Sequence, residues 1–241
     1  MPRNWIEAKV ITIIDESPTV KRFILHVESE EIFTFTPGQF VTFDLPVGDK
    51  RLDRWRSYSI ASTPSEDNMF ELCIVLLDDG KGSGYFFTEV FVGTILKFKG
   101  PDGSFVLPQE TEPLYVLVCT GTGVAPFRSM IKHAYEHGLP YRFHLIFGCR
   151  TKEDILYFEE FQKISEEQPL SLRYDVVLSR ETSDAFYHGY VHQVYEKAYT
   201  SENSTVVFFL CGWSKMIDEA RNNLIETMGF RESQVLFELY G

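Results

Sequence analysis

The chain has 241 residues, of which 44% are hydrophobic and 15% aromatic, and it carries a formal net charge of −12. That length admits one large domain or two small ones, and the apolar content supports a packed core and excludes a disordered chain. The acidic balance argues against nucleic-acid binding, which needs a basic face, and no apolar run approaches the roughly 18 residues of a membrane helix.

The N-terminal residues Met1-Pro2-Arg3-Asn4-Trp5 contain no apolar signal core, which points to a cytoplasmic protein. Cys73, Cys119, Cys149 and Cys211 lie far apart without a C-x-x-C pair. That pattern disfavours a zinc ribbon, an iron–sulfur cluster or a disulfide scaffold. His133 with His137, and His188 with His192, have i,i+4 spacing but no partners at metal-ligand spacing, so no metal site is expected.

In chain order, residues 5–14 and 20–28 alternate apolar and polar with the period of strands (Ile6, Ala8, Val10, Thr12, then Val20, Arg22, Ile24), with Ser17-Pro18 as the turn. Further strands are expected over 39–45, 56–61, 69–76 and 94–99. A glycine-rich loop over 78–84 precedes a short helix over 85–91. Short strands with turn signals between them predict an antiparallel β-barrel.

The pattern changes after Gln109-Glu110-Thr111-Glu112-Pro113, which sets a boundary between domains 1–110 and 111–241. Beyond it, continuous apolar strands (114–119, 141–147, 171–178, 205–210, 235–240) alternate with helices (127–137, 152–167, 191–199, 214–228). That alternation predicts an α/β domain, a doubly wound parallel sheet whose ligands bind outside the carboxyl ends of the strands. The loops at Gly121, Gly148, Ser179 and Gly212 fall at those ends.

Two loops carry phosphate chemistry. Gly121-Thr122-Gly123-Val124-Ala125-Pro126 joins a buried strand to a helix; its glycines admit an anion to the backbone amides, and Pro126 suits a first helical turn. It has no full G-x-G-x-x-G, so by itself it reads equally as a tight strand–helix turn. Gly80-Lys81-Gly82-Ser83 offers amides, a lysine and a hydroxyl, and by itself is more often a surface turn.

Taken with four further motifs, these loops resemble the ferredoxin–NADP reductase superfamily over essentially the whole chain. The motifs, in order, are Arg56-Ser57-Tyr58-Ser59, Gly80-Lys81-Gly82-Ser83, Gly100-Pro101-Asp102-Gly103-Ser104-Phe105, Gly121 through Pro126, Cys211-Gly212 and Glu238-Leu239-Tyr240. The resemblance implies an FAD-binding barrel, a domain binding NADP(H) or NAD(H), and hydride transfer from nicotinamide to flavin in the cleft between them.

It also implies residue roles. Arg56 would pair with the flavin diphosphate, and Lys81, Gly82 and Ser83 would complete that site. Tyr58 would pack on the isoalloxazine with its hydroxyl reaching the ribityl chain, Ser59 would sit near flavin N5, and Ser57 and Ile60 would also bind the cofactor. Gly121, Thr122, Gly123, Val124, Pro126 and Gly212 would hold the pyridine nucleotide, with Thr122 and Cys211 near the nicotinamide. Ser59, Cys211, Glu238 and Tyr240 would be the catalytic group, Tyr240 covering the flavin and Glu238 passing a proton or holding the carboxamide. Plant-type members end on the tyrosine, whereas Gly241 follows it here. Arg150, Ser179 and Arg180 would meet the adenosine end and favour NADPH, although His188-Gly189-Tyr190-Val191 also resembles members that use NADH.

The implied acceptor is a separate protein: ferredoxin, flavodoxin or an oxygenase component. Lys50, Arg51, Arg54, Lys97 and Lys99 would give an acidic partner a basic rim. FMN in place of FAD, a free-flavin or small-molecule reductase, and a flavin-binding regulatory subunit without turnover all stay open at this stage.

Overall fold

A computed structural model describes residues 5–202 and 205–239. They form two compact units. The first runs to Leu107 and includes Ala125–His133; the second comprises Pro108–Val124 and the chain from Ala134 onward.

In the first unit, β1 (Ile6–Ser17), β2 (Val20–Val27), β3 (Phe40–Asp44), β4 (Trp55–Ser59), β5 (Met69–Val75) and β6 (Ile95–Asp102) make one antiparallel sheet in the order β4-β3-β6-β1-β2-β5. A bridge between Ile60 and Leu72 returns the chain after β4 to β5 and closes the sheet as the expected barrel. Closure leaves no open edge between those strands. The inward face of β2 is Phe23, Leu25 and Val27, not the Arg22 and Ile24 phase read from the sequence: the larger apolar set takes the interior, and Arg22 pairs with Glu71. Two helices are added: α1 (Arg51–Arg54) and α2 (Lys81–Thr88).

The barrel interior is aromatic. Phe23, Phe43, Phe70, Phe86 and Phe98 are all fully buried. Phe86, from α2, sits edge-to-face at 5.1 Å from Phe23 and 5.6 Å from Phe43. Burying such a ring is worth about 1.5–3 kcal/mol, enough to fix a helix of two turns that has no capping side chain.

In the second unit, β7 (Leu114–Thr120), β8 (Arg142–Cys149), β9 (Leu172–Leu178), β10 (Tyr187–His188), β11 (Val206–Gly212) and β12 (Val235–Leu239) form a parallel sheet in the order β10-β9-β8-β7-β11-β12. The strands alternate with α3 (Val124–Glu136), α4 (Phe158–Glu167), α5 (His192–Ala198) and α6 (Ser214–Asn222). Strand order reverses between β7 and β11, so the loops after these two strands flank the topological switch point.

Two helices differ from expectation. The stretch 152–167 is broken: the Asp154 carboxylate folds back to accept from both the backbone N–H and the hydroxyl of Thr151, closing a single turn. Tyr157, at φ 54°, then starts α4 afresh. The helix expected over 214–228 is α only to Asn222 and finishes as a π turn over Asn223–Thr227. Among the described residues no helix is long and apolar enough to cross a membrane.

One polar group interrupts the apolar middle of β8. His144 is 1% exposed, with Nδ1 2.6 Å from the Tyr199 hydroxyl and Nε2 2.9 Å from Asp175 Oδ2. Burial pushes the Tyr199 phenol up to about 12, so it keeps its proton and donates to Nδ1; Nε2–H then donates to Asp175. Arg173 Nη2 donates to the same carboxylate oxygen at 2.6 Å. Burial holds the His144 pKa below its ordinary value, against the pull of Asp175. Burial acts to raise the Asp175 carboxyl, but its bonds to His144 and Arg173 outweigh that and hold it below its ordinary value.

The sign of the pH effect follows. Below about pH 6.5 the unfolded chain takes up a proton at residue 144 that the folded chain resists, so stability falls with falling pH, and Asp175 adds a second loss only below about pH 4. The expected outcome is a decline in the thermal midpoint between pH 7.5 and pH 5. His144→Asn is expected to cost about 1–3 kcal/mol at pH 7.5 and to flatten the decline. Equal slopes for the two proteins would contradict the assignment.

Candidate active site

Strand β4 carries the Arg56-Ser57-Tyr58-Ser59 motif against β3, pairing Arg56 with Phe43, Ser57 with Thr42, Tyr58 with Val41 and Ser59 with Phe40. Arg56 Nη1 donates to the carbonyls of Leu52 and Trp55, at 2.9 and 2.7 Å, which holds the guanidinium at the end of α1. The Ser57 and Thr42 hydroxyls are 2.9 Å apart. The Tyr58 ring lies edge-on to Phe86 and Phe43, at 5.2 and 6.1 Å. Burial raises its pKa above the ordinary phenol value, so the hydroxyl stays a donor. Ser59 is buried. Ile60 puts its side chain into the barrel core and donates its N–H to Gln39 O at 3.0 Å.

The loop expected over 78–84 is partly helix. Helix α2 starts at Lys81, so Lys81, Gly82 and Ser83 form its first turn. The Ser83 hydroxyl closes that turn, donating to Gly80 O and accepting from Leu77 N–H, both at 3.1 Å. The buried Phe86 explains the early start. A β-carbon on Gly82 would lie 2.8 Å from Arg56 Cγ and 3.1 Å from the Tyr58 hydroxyl oxygen. The arginine stem, a phenolic donor and the opening turn of a helix therefore converge where no side chain fits. That set suits an anionic diphosphate: a delocalised cation, fixed O–H and N–H donors, and room for close backbone approach.

The second unit assembles the other motifs at the switch point. Residues Gly121–Gly123 are a 3-10 turn leading straight into α3, which begins at Val124, three residues before the expected start. Pro126 lies in the first turn of α3, where its missing N–H costs nothing. A β-carbon on Gly123 would sit 2.6 Å from the backbone of both Cys211 and Gly212, so only glycine lets these strand ends meet. Trp213 N–H donates to the Thr120 hydroxyl at 3.3 Å across the same junction. Thr122 is half-exposed there, whereas Val124 and Cys211 are fully buried. Glu238 is the register partner of Cys211 on β12. Tyr240 lies outside the described residues.

Arg150 and Arg180 are both exposed and are joined through the backbone, Arg180 N–H donating to Arg150 O at 2.9 Å. The Ser179 hydroxyl donates to Cys149 O at 3.2 Å. Nearby, Glu181 holds Lys152 through both its backbone N–H (2.9 Å) and its ammonium (3.4 Å).

The basic cluster of the first unit is largely engaged. Arg54 Nη2 is 2.5 Å from Asp44 Oδ2, and the Arg51 guanidinium and Lys99 ammonium lie 4.1 and 3.8 Å from the Trp55 ring centre. Sequence reasoning passed over Arg128 and Ser129, which donate to the carbonyls of Ala61 and Ser62 at 2.8 and 2.6 Å. A signal was available: Arg128 stands four residues after Val124 and three before Ile131, on an otherwise apolar helical stripe.

Comparison with known proteins agrees with both halves. Residues 7–107 match the family described as oxidoreductase FAD-binding domain, and residues 117–222 match the oxidoreductase NAD-binding domain. The chain belongs to the ferredoxin–NADP reductase superfamily. It is an oxidoreductase with an FAD-binding and an NAD-binding domain. Ferredoxin–NADP reductase B of Sorangium cellulosum is 29% identical over 240 residues, 97% of each chain. Methane monooxygenase component C of Methylosinus trichosporium is 34% identical over 179 residues, 72% of this chain and 51% of the relative. The match to the reductase component DmpP of a Pseudomonas phenol 2-monooxygenase covers 64% of that protein, so the chain spans about half to two thirds of these oxygenase reductases. Among solved structures, the cytochrome P450 reductase GcoB of Amycolatopsis superposes with a TM-score of 0.86 at 26% identity, over 99% of this chain and 70% of that one.

Gly82→Ala tests the cradle. Alanine favours the helix by up to about 1 kcal/mol, so the fold should hold. The added methyl is expected to displace Arg56 and Tyr58 and to weaken FAD binding at least tenfold in a fluorescence-quenching titration. Unaltered FAD affinity would place the cofactor elsewhere.

Proposed function

We propose that the chain takes hydride from NADPH onto bound FAD and hands electrons to a separate redox protein: a ferredoxin, a flavodoxin or an oxygenase component. The observation that carries this reading is that one chain holds both domains and aligns over 97% of its length with 97% of a ferredoxin–NADP reductase. The partial-length similarity to oxygenase reductase components supports an oxygenase component as the alternative acceptor. A cytoplasmic location, where reduced pyridine nucleotides are made, fits the same reading.

When bound, FAD supplies hydride acceptance and single-electron release, and the protein supplies orientation and electrostatics. In this reading Arg56 and the first turn of α2 (Lys81, Gly82, Ser83) hold the diphosphate, and the Tyr58 hydroxyl donates to the cofactor beside Gly82. Ser57 braces β4 on β3, and Ile60 anchors the strand end in the core. Ser59 stands at that end, toward flavin N5. Gly121, Thr122, Gly123, Val124 and Pro126 present the turn that receives the pyridine nucleotide. Cys211 and Gly212 form its wall, and Cys211, being buried, shapes that wall. Glu238 holds the carboxamide or passes a proton; Tyr240, expected to cover the flavin, lies outside the described residues. In this reading the division of labour lies near residue 110, with Ala125–His133 packed in the first unit.

The preference for NADPH rests on Arg150 and Arg180, two exposed guanidinium groups on adjoining strand ends, with Ser179 between them in the adenosine region. A 2′-phosphate is a bidentate target for such a pair. Anaerobic stopped-flow mixing with NADPH and with NADH tests the whole reading: rapid bleaching of bound flavin is expected, faster at low NADPH than at low NADH. Flavin that neither nucleotide reduces would favour a non-catalytic binding role. Arg150→Ala with Arg180→Ala is expected to raise the KM for NADPH at least tenfold and to change that for NADH less than threefold, from a loss of about 1.5–3 kcal/mol of charge-assisted bonding. A parallel rise for both nucleotides would remove the arginines from the 2′-phosphate site.

A further inference from the structure

We propose that Arg128 and Ser129 of α3 are positioning residues for the hydride step, acting through the end of the flavin strand; this rests on the function proposed above. They are consecutive donors to consecutive carbonyls: Arg128 Nη1 to Ala61 O at 2.8 Å and the Ser129 hydroxyl to Ser62 O at 2.6 Å. Both donors are inside the protein, at 3% and 0% exposure. Residues 61 and 62 directly follow β4 and the Ile60–Leu72 bridge, so whatever fixes them fixes where Tyr58 and Ser59 stand.

The clamp is charged although the surroundings are apolar. Arg128 Nη1 is 3.3 Å from Glu71 Oε1. Glu71 also accepts from Arg22 through Nε at 2.8 Å and Nη2 at 3.0 Å, and Arg22 Nη1 reaches Glu16 at 3.2 Å. Glu71 N–H donates to the Ser62 hydroxyl at 3.0 Å, and its carbonyl accepts from Ala61 N–H at 2.8 Å. Two carboxylates and two guanidinium groups thus balance around the turn at 61–62. Apolar packing would hold a helix against a barrel without the desolvation cost of four charges; what the charges add is a fixed direction and register. Packing allows little slack, since a β-carbon on Gly38 would fall 2.5 Å from Met130 Cε and against the Phe105 carbonyl.

The same helix begins at Val124, directly after the Gly121–Gly123 turn proposed to receive the pyridine nucleotide. Arg128 is one helical turn from that start. The two bonds fix the register of α3 on Ala61 and Ser62, and with it the end of the strand proposed to hold the flavin. Hydride transfer falls steeply with sub-ångström misplacement, whereas binding of either cofactor does not.

The test uses the full chain loaded with FAD, as Ser129→Ala and Arg128→Ala. The expected result at saturating NADPH is a fall of at least tenfold in the single-turnover flavin-reduction rate, with FAD content and the Kd for NADP⁺ within twofold of wild type. The long-wavelength charge-transfer absorbance that NADP⁺ gives with reduced flavin should weaken in parallel. Ser129→Ala, which removes one oxygen, decides the matter if Arg128→Ala does not fold. A lowered melting temperature or FAD content with an unaltered rate per bound flavin would overturn the inference in favour of a purely structural clamp, as would wild-type rates throughout. Wild-type flavin that no pyridine nucleotide reduces would overturn the proposed function and this inference with it.

Discussion

A carboxylate removed from water needs partners, and each partner of Glu71 brings a different element with it. Arg22 belongs to β2, Arg128 to α3, and the backbone of Glu71 itself is bonded to residues 61 and 62. Leaving one member of such a group uncompensated is far more costly than any surface ion pair. The group therefore works as a single condition: β2, β5, α3 and the chain just after β4 are placed together or not at all. This explains why Ala125–His133 belongs to the first unit although the chain around it belongs to the second.

The two units reach their candidate sites by different physics. In the first, side chains do the placing. Phe86 anchors α2 in the aromatic core, and the opening turn of α2 then stands beside Arg56 and Tyr58, with glycine at the point of contact. In the second, the backbone does it. Parallel strands β7 and β11 end side by side at the switch point, and Gly123 lets one strand end pack on the carbonyl of the other. A larger residue at position 82 would press on the Arg56 and Tyr58 side chains; one at position 123 would separate two strands. The same amino acid thus spaces side chains in one unit and backbone in the other.

The fold was legible in the sequence where periodicity was strong and local. The continuous apolar runs of the second half became β7, β8, β9, β11 and β12, and the alternating runs of the first half became the barrel. Errors arose where a side-chain contact outweighed local preference. Glycines 82 and 84 read as a loop, yet Phe86 recruits them into a helix. Residues 152–167 read as one helix, yet Asp154 turns back to Thr151 and divides it. The inward face of β2 took Phe23 and Leu25 although the Arg22–Ile24 phase alternates as regularly in the sequence.

The candidate site shows the same division. Motif residues could be named from the sequence because each is tied to a fixed local shape: a strand, a turn or a helix start. Arg128 could not, because its meaning depends on Ala61, 67 residues away in the chain. A lone arginine on an apolar helical stripe indicates that a buried acceptor exists without saying where it lies. Here the acceptors are backbone carbonyls at the end of the very strand that carries the Arg-x-Tyr-Ser motif, together with a glutamate that sits on β5, the strand bridged to that end. Long-range polar pairs of this kind leave only half their pattern at any one point in a sequence. They are also the contacts most able to set one register among several that apolar packing would accept.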